Sequence, residues 1–183
     1  MRIITGKYKG RHVDIPRAFK ARPTTDFAKE NIFNVLTQYI DFDGATALDL
    51  FSGTGSITLE LLSRGCSQVI SVEKDRDHHR FITQCVSSLT HGGDEPRADG
   101  VVPLRADVFR FLKSCHQQFD FIFADPPYAL RELPLIPDLI FEHQLLRPDG
   151  VFVFEHGKDH SFGEHQHFVE HRQYGSVNFT IFK

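Results

Sequence analysis

Four consecutive residues, Asp125-Pro126-Pro127-Tyr128, bring together groups that suit a planar ligand bearing an amine. The two prolines fix φ and carry no N–H, so they stiffen the chain and leave backbone carbonyls available as hydrogen-bond acceptors. Asp125 adds a carboxylate at the same point, and Tyr128 offers an aromatic face on which a base can stack. We therefore predict that Asp125 and the Pro126 carbonyl hold an exocyclic amine while Tyr128 stacks on the ring that carries it.

A second group of candidate residues surrounds a glycine-rich loop. An apolar run ends at Asp49-Leu50, the loop Phe51-Ser52-Gly53-Thr54-Gly55 follows, and a helical pattern begins at Ser56. Strand, glycine loop and helix are typical of the start of a nucleotide-binding βαβ unit, in which glycines let the backbone turn and a ligand approach. Thr58 replaces the third glycine of a dinucleotide fingerprint, and no phosphate-binding Gly-Lys-Ser/Thr is present.

Carboxylates follow three further predicted strands. Glu73 ends the strand predicted over 68–73 and lies 20 residues after Gly53, where nucleotide-binding folds place an acid on ribose hydroxyls. Asp107 comes just after the strand predicted over 101–105, and Asp125 follows the strand predicted over 119–124. Because carboxyl ends of parallel strands share one sheet edge, we expect these acids to line one site.

The remaining elements follow from hydrophobic periodicity and turn residues. Pro103 predicts that its strand lies at a sheet edge. Other predictions are a hairpin of strands 2–5 and 12–15, a helix from Asp26 to Tyr39 capped by Thr24 or Thr25, a helix over 76–89, a short helix ending near Cys115, a helical segment over 132–146 interrupted by Pro134 and Pro137, a turn at 147–150, a strand over 151–154 with Glu155 at its exit, and an antiparallel pair over 166–173 and 176–182. Residues 91–100 are predicted to form a surface loop.

Composition and charge bound the possible classes. The chain has 183 residues, 40% of them hydrophobic and 25% charged, which is typical of one globular domain with its own core. Its three cysteines lack metal or redox spacing, so we expect reduced thiols and a cytoplasmic protein. We expect no signal peptide, no membrane span and no bound metal, although His156, His160, His165 and His167 cluster late in the chain.

The charge is distributed unevenly. Residues 1–22 carry seven basic side chains and one acid, a net charge of +6, which leaves −9 for the rest of a chain whose net charge is −3. A basic arm on an acidic body suits contact with nucleic acid, and an edge hairpin protected by Lys and Arg is the equally weighted alternative. The candidate RNA-contacting residues are Lys7, Lys9, Arg11, Arg22 and Thr24.

These motifs resemble those of a known family. The acid before the Gly-x-Gly loop resembles motif I of class I methyltransferases, and Asp125 to Tyr128 resembles the motif of enzymes that methylate amino groups of nucleic-acid bases. With Arg2-Ile3-Ile4-Thr5-Gly6-Lys7, Arg22-Pro23-Thr24-Thr25-Asp26, Leu62-Ser63-Arg64-Gly65 and Gly175-Ser176-Val177, the whole chain resembles the RsmD family of small-subunit ribosomal RNA guanine-N2 methyltransferases. It departs from the family at Gln84-Cys85 and in the length of the loop after His91.

The resemblance implies a fold and a site. It implies a Rossmann-like α/β class I methyltransferase: one domain over residues 1–183, with a seven-stranded mostly parallel sheet in the order 3-2-1-4-5-7-6, helices on both faces and a short N-terminal hairpin arm. The implied cofactor is S-adenosylmethionine, and the implied partner is ribosomal RNA or the assembling small subunit. The cofactor residues would be Asp49, Phe51, Ser52, Gly53, Gly55, Glu73, Lys74, Asp107, Val108 and Asp125, and the catalytic residues Asp125, Pro126 and Tyr128.

Two other functions stay open on the sequence alone. A DNA adenine-N6 or cytosine-N4 methyltransferase would share the Pro-Pro motif, although such enzymes usually carry a separate target-recognition region. A non-catalytic RNA-binding module with a relic cofactor pocket is the second alternative, and the intact acids and glycines of the motifs argue against it.

Overall fold

The computed structural model describes residues 1–19, 25–90 and 100–183. Within these ranges the sheet has seven strands in the order β3-β2-β1-β4-β5-β7-β6, as predicted. The strands are β1 Thr46–Leu50, β2 Gln68–Glu73, β3 Val101–Arg105, β4 Phe119–Ala124, β5 Leu146–His156, β6 Phe168–Tyr174 and β7 Val177–Phe182. The first five pair in parallel, and β7 runs antiparallel to both β5 and β6. The predicted edge position of β3, the strand that contains Pro103, is confirmed.

Alternating side chains divide the core between the two faces of this sheet. The helices are α1 Asp26–Leu36, α2 Ser56–Ser63, α3 Arg76–Thr90, α4 Val108–Ser114 and α5 Ile136–Glu142, with a 3-10 turn at Leu133–Leu135. Phe121 and Phe123 of β4 pack in one cluster with buried side chains of α1 and α2. Ile122 and Ala124, one residue out of phase, pack with α4 and α5 on the other face. Period-two alternation therefore places helices on both faces.

Several predicted boundaries were wrong. The first helix ends at Leu36 rather than Tyr39, and Thr25 supplies its cap by accepting from Ala28 N at 3.1 Å. Pro134 and Pro137 stand in the first turns of the 3-10 helix and α5, because proline suits a helix start that needs no N–H. Residues 147–150 form an irregular bulge inside β5, whose pairing jumps from Phe119↔Leu146 to Phe121↔Val151.

The predicted N-terminal hairpin is present but shorter than its predicted strands. Its antiparallel pairing is limited to the bridge Arg2↔His12 and to backbone hydrogen bonds such as Ile3 N to the Arg11 carbonyl at 3.0 Å and Val13 N to the Met1 carbonyl at 2.9 Å. The N–H groups of Ile4 and Thr5 donate to a side chain instead of to the opposite strand of the hairpin. They bind the two carboxylate oxygens of Glu60, at 2.8 and 3.1 Å. A charged acceptor inside the protein competes better for these donors than a neutral carbonyl of a short hairpin.

A buried polar cluster fixes the arm to α1 and α2. Glu60 and Lys29 are both fully buried, with Lys29 Nζ 4.0 Å from Glu60 Oε2. Arg64 Nε donates to Glu60 Oε1 at 2.9 Å, and Lys29 Nζ donates to the Arg2 carbonyl at 2.7 Å and to Ser56 Oγ at 2.9 Å. Burial lowers the pKa of Lys29, while the charges of Glu60 and Asp26 act in the opposite direction. This cluster ties the arm to the start of α2.

Candidate active site

A cleft of about 1290 Å³ opens at the carboxyl ends of β1, β2, β4 and β5. Its walls contain nearly all of the site residues predicted from the motifs. These are Asp49, Phe51, Ser52, Gly53, Glu73, Lys74, Asp107, Val108, Asp125, Pro126 and Tyr128. The structure therefore brings the two separate motifs, the glycine loop and the Asp-Pro-Pro-Tyr corner, into one cavity.

The glycine loop owes its shape to three residues with positive φ. Phe51, Gly53 and Gly55 have φ of 60°, 53° and 76°. Phe51 is strained because a bulky residue rarely adopts this conformation, and such strain is concentrated at functional sites. Gly55 is outside the cleft wall and stands before the first residue of α2, where an added Cβ would lie 2.9 Å from Ile82 Cγ1. An added Cβ at Gly53 would meet only the Phe51 carbonyl oxygen, at 3.8 Å, so this glycine keeps the cleft open.

Asp49 is the buried acid of the cleft. Its Oδ2 accepts a hydrogen bond from Thr58 Oγ1 at 2.5 Å. Burial raises the pKa of the Asp49 carboxyl to about 7, and hydrogen bonds from Thr58 and Ser52 act in the opposite direction. The Asp49 carboxyl therefore changes charge near neutral pH, where a cation in the cleft would favour its ionised form.

Glu73 and Asp107 follow adjacent strands and also hold local structure. Glu73 Oε2 accepts from Gly53 N and Glu73 Oε1 from Asp75 N, both at 2.7 Å, so its carboxylate braces the glycine loop. Asp107 caps α4 by accepting from Arg110 N at 3.2 Å, and its Oδ2 lies 3.9 Å from Lys74 Nζ. Each carboxylate oxygen can accept more than one hydrogen bond, so both acids also retain capacity toward a ligand.

The Asp-Pro-Pro-Tyr corner is held against the carboxylate of Glu155. Tyr128 donates from its hydroxyl to Glu155 Oε1 at 2.9 Å, and its ring packs on Gly157, where an added Cβ would lie 3.3 Å from Tyr128 Cδ2. Burial, then the negative charges of Glu155 and Asp125, raises the pKa of the Tyr128 hydroxyl. Tyr128 as a whole residue is 43% exposed, which suits a stacking surface at the cleft.

Motif reasoning missed several residues of the cleft wall. Glu155 was recognised only as the exit of a strand and Thr25 only as a helix cap, yet both line the cavity. His78 and Phe109 line it as well. The ring of His78 packs edge-on against Phe19 of the arm, with 4.4 Å between the ring centroids. The rings of Phe109 and Phe51 pack with 6.4 Å between their centroids. For Glu155 the sequence held a signal, because an acid directly follows the apolar core of the strand beside Asp125.

The tip of the basic arm lies at the end of α2 that is farther from the glycine loop. Lys7 N donates to the Ser63 carbonyl at 2.7 Å, and Tyr8 N donates to Ser63 Oγ at 2.9 Å, so the arm tip is at the end of α2. The glycine loop precedes the other end of this eight-residue helix, about 12 Å away. The Lys7 ammonium and the Arg11 guanidinium lie over the Tyr8 ring, at 5.7 and 5.4 Å from its centroid. Arg22 and Thr24 lie outside the described residues.

Three further features of the described ranges concern the thiols, the arrangements that could hold a metal ion and the helices that could span a membrane. The three cysteines are free thiols. Across residues 1–19, 25–90 and 100–183, three or more His, Cys, Asp or Glu side chains nowhere gather in an arrangement that could hold a metal ion. In the same ranges, every helix is too short or too polar to cross a membrane.

The sheet order, the glycine loop and the Asp-Pro-Pro-Tyr corner define a Rossmann-like class I methyltransferase. A family model described as "Conserved hypothetical protein 95" matches residues 1–183. A Bacillus subtilis relative named "Putative rRNA methyltransferase YlbH" is 37% identical over 161 residues, 87% of this chain and 84% of that protein. Haemophilus influenzae "Ribosomal RNA small subunit methyltransferase D" is 30% identical over 161 residues, 87% of this chain and 80% of that protein.

The solved structure titled "Putative methyltransferase yhhF from Escherichia coli" has the same fold. It superposes with a TM-score of 0.82 and 24% identity, covering 100% of this chain and 96% of that one. The chain belongs to the family that the model describes, the RsmD family of rRNA methyltransferases.

Proposed function

We propose that this protein transfers a methyl group from S-adenosylmethionine to the exocyclic N2 amine of a guanine in the small-subunit (16S) ribosomal RNA. The observation that carries the proposal is the position of Asp125, Pro126 and Tyr128 in the same cleft as the glycine loop. Membership of an rRNA methyltransferase family supports the reaction class and the RNA partner. The substrate would be either the ribosomal RNA itself or the assembling small subunit that contains it.

The residues of the cleft fit the cofactor. Gly53 leaves open space where a side chain would intrude, and two acids at the ends of β1 and β2 suit the ammonium and the ribose hydroxyls of S-adenosylmethionine. Asp49 would stand nearest the ammonium, Glu73 would accept from the ribose, and Asp107 would accept from the adenine amino group. When bound, the cofactor supplies an activated methyl group on a sulfonium, which is a good leaving group.

Asp125 and Pro126 would act on the methyl acceptor, the guanine amine. The lone pair of the guanine amine is delocalised into the ring and is a weak nucleophile. Hydrogen bonds from the amine to the Asp125 carboxylate and the Pro126 carbonyl would localise this lone pair and stabilise the positive charge that develops on nitrogen. The Asp125 carboxylate would then take up the proton that the methylated amine releases. Tyr128 would stack on the base, which must leave its own stack to enter the cleft. The protein thereby acts mainly by positioning the amine.

The proposal is tested by the site of methylation. Small subunits from a strain lacking the protein should carry one unmethylated guanine that the purified protein methylates, located by mass spectrometry of RNA fragments. Transfer of tritiated methyl groups to such subunits, compared with duplex DNA, separates the RNA enzyme from the DNA amino-methyltransferase. Calorimetry with S-adenosylmethionine tests the non-catalytic alternative, because a relic pocket would not bind the cofactor. Labelling of DNA but not of subunits would refute the proposal.

Glu73→Ala is expected to weaken S-adenosylmethionine binding several-fold or more. The substitution removes the proposed ribose acceptor and also the brace on Gly53 N, and a lost hydrogen bond to a charged group costs roughly 1.5–3 kcal/mol. Isothermal titration calorimetry measures the change. Glu142→Ala, which removes an exposed carboxylate outside the cleft wall, should leave affinity unchanged. Wild-type affinity in Glu73→Ala would remove Glu73 from the cofactor site.

Cofactor affinity should depend on pH through Asp49. The pKa of its carboxyl in the free protein is raised to about 7, and a bound ammonium would lower it, so binding favours the ionised form. Affinity is therefore full above pH 7 and falls as pH drops below it. Between pH 8 and pH 6 we expect the dissociation constant to rise about tenfold. Asp49→Asn should bind more weakly at pH 8 and lose this dependence; a variant with the wild-type pH profile would show that another group titrates.

We expect the basic arm to contribute phosphate contacts through Lys7, Lys9, Arg11 and Arg22. On a body of charge −9, the arm must supply much of the attraction to RNA. Three or four contacts correspond to a log–log salt slope of about −2 to −3, because each single-strand contact contributes about −0.7. Lys9→Glu with Arg11→Glu should flatten the slope and raise the KM for RNA without changing cofactor affinity.

The matched control for the arm reverses two exposed charges elsewhere, Lys113→Glu with Lys183→Glu. It changes the net charge by the same amount, so it separates local phosphate contacts from the overall field. Binding is measured by filter retention at four salt concentrations. If the arm variant keeps the wild-type affinity and slope, or if both variants lose affinity equally, the arm does not contact RNA.

A further inference from the structure

Asp125 and Glu155 occupy matching positions on adjacent strands. Each directly follows one residue of the paired set Ala124↔Phe154 in the parallel pair β4–β5. Adjacent strands lie about 4.8 Å apart, so two carboxylates stand side by side at this edge of the sheet. Both residues line the cleft, and the negative charges of both act on the hydroxyl of Tyr128.

Glu155 is, like Asp49, a buried carboxylate of the cleft, and it is only 4% exposed. The Tyr128 hydroxyl donates to its Oε1 at 2.9 Å, which orients the carboxylate. An ionised carboxylate accepts about four hydrogen bonds in total, so a carboxylate in the cleft wall can accept from a ligand as well as from a tyrosine. Proximity of two acceptors favours a ligand that presents two adjacent donors.

The bases differ in this respect. Guanine presents N1–H and the N2 amine as neighbouring donors on its Watson–Crick edge. Adenine and cytosine present an amine beside a ring nitrogen that is itself an acceptor. A buried carboxylate opposite that ring nitrogen would repel its lone pair, and the repulsion is stronger where water is excluded. A site built for a hydrogen bond rejects an analogue that cannot make it, because the buried group is left unpaired.

We propose that Glu155 is a specificity-determining residue, which accepts the N1–H of the target guanine while Asp125 accepts from its N2 amine. The inference rests on the proposed function and extends it, because it assigns base selection to one residue. The competing explanation is structural: Glu155 would serve only as the acceptor that holds the Tyr128 ring. The two explanations differ in whether the residue responds to the substrate's N1 position.

The test changes the hydrogen-bonding edge of the target base. Ribosomal RNA is assembled by ligation with either guanosine or 2-aminopurine at the nucleotide that mass spectrometry identifies as the target. 2-Aminopurine keeps the N2 amine but has an acceptor at N1 and lacks the O6 carbonyl, so the change of preference in Glu155→Gln assigns the contact to N1. Wild-type protein should prefer guanine in kcat/KM by about ten- to a hundredfold, the range of one base-edge contact. Glu155→Gln presents an amide that can donate to N1, so its preference should fall by at least about tenfold.

Two measurements keep structural effects apart from base reading. Tyr128→Phe removes the hydroxyl that orients Glu155 but keeps the carboxylate, so rates on both RNAs should fall together and the preference should persist. Calorimetry with S-adenosylmethionine shows that each variant is folded. A Glu155→Gln variant that slows both substrates equally would leave Glu155 a structural residue and overturn the inference.

A measurement on the wild-type protein alone can also overturn the inference. Equal methylation of the guanine and 2-aminopurine RNAs would overturn the role of Glu155, even if no variant folds. The proposed function would survive that result, because guanine would still be methylated at N2. Failure of the wild type to methylate guanine RNA at all would instead overturn the proposed function, and the inference with it.

Discussion

Replacing Asp125 by alanine is expected to reduce methyl transfer by about a hundred- to a thousandfold while cofactor affinity stays close to the wild-type value. Asp125 is the carboxylate that would accept from the reacting amine, and removal of one preorganised group that stabilises developing charge costs about 10²–10³ in rate. Its position follows from β4, because Asp125 N donates to the Leu50 carbonyl at 3.3 Å and so remains in register with β1. Single-turnover transfer of labelled methyl groups to undermethylated small subunits measures the rate.

Two further variants serve as comparisons for Asp125→Ala. Asp125→Asn keeps the shape and one acceptor, so it should retain more activity than Asp125→Ala. Tyr128→Ala should be milder than Asp125→Ala, since a stacked base is worth roughly 1–3 kcal/mol. If folded Asp125→Ala turns over near the wild-type rate, Asp125 is not catalytic. If the cofactor affinity falls as far as the rate does, Asp125 acts on the cofactor rather than on the amine.

The largest expected effect on stability is that of Glu60→Ala, which should lower the free energy of unfolding by roughly 3–5 kcal/mol, the cost of removing one partner from a buried ion pair. The substitution removes the carboxylate that accepts from the Arg64 guanidinium and from the N–H groups of the arm. It also removes the buried one of the two carboxylates near the Lys29 ammonium and leaves only the partly exposed Asp26 at 3.8 Å. Guanidinium unfolding followed by circular dichroism measures the change.

Glu30 provides a matched control for Glu60. It also pairs with an arginine, Arg2 at 3.4 Å, but both side chains are nearly half exposed. Such surface pairs contribute little, so Glu30→Ala should change stability by less than about 1 kcal/mol. Similar losses for the two variants, or a Glu60→Ala protein as stable as the wild type, would show that the cluster does not anchor the arm.

The strands and the cleft could be predicted because their determinants are local. Apolar runs such as Phe119–Ala124 end at a polar residue, and the strand bounds of β2, β3 and β4 follow directly from such runs. The topology of a parallel sheet then brings Asp49, Glu73 and Asp125 to one edge, whatever the details of the loops. The strand order itself came from the family resemblance rather than from the pattern.

The remaining features depend on partners that lie far away in the sequence. Glu60 looks like an exposed helix residue, and only packing of the arm reveals that it captures Ile4 N and Thr5 N. The position of Lys7 at the end of α2 follows from that same capture. The bulge at residues 147–150 depends on how β5 pairs with β4, and the contact of Glu155 with Tyr128 depends on how the turn after β4 folds against the end of β5.

The anchoring of the arm has a consequence for the order in which the chain is completed. Ile4 and Thr5 are synthesised before Glu60, which follows them by 56 and 55 positions. At translation rates of about 5–20 residues per second, the arm waits roughly 3–11 seconds before its acceptor exists. The arm thus adopts its final position only after the later helix α2 has emerged, so a segment that is made before this helix is fixed after it.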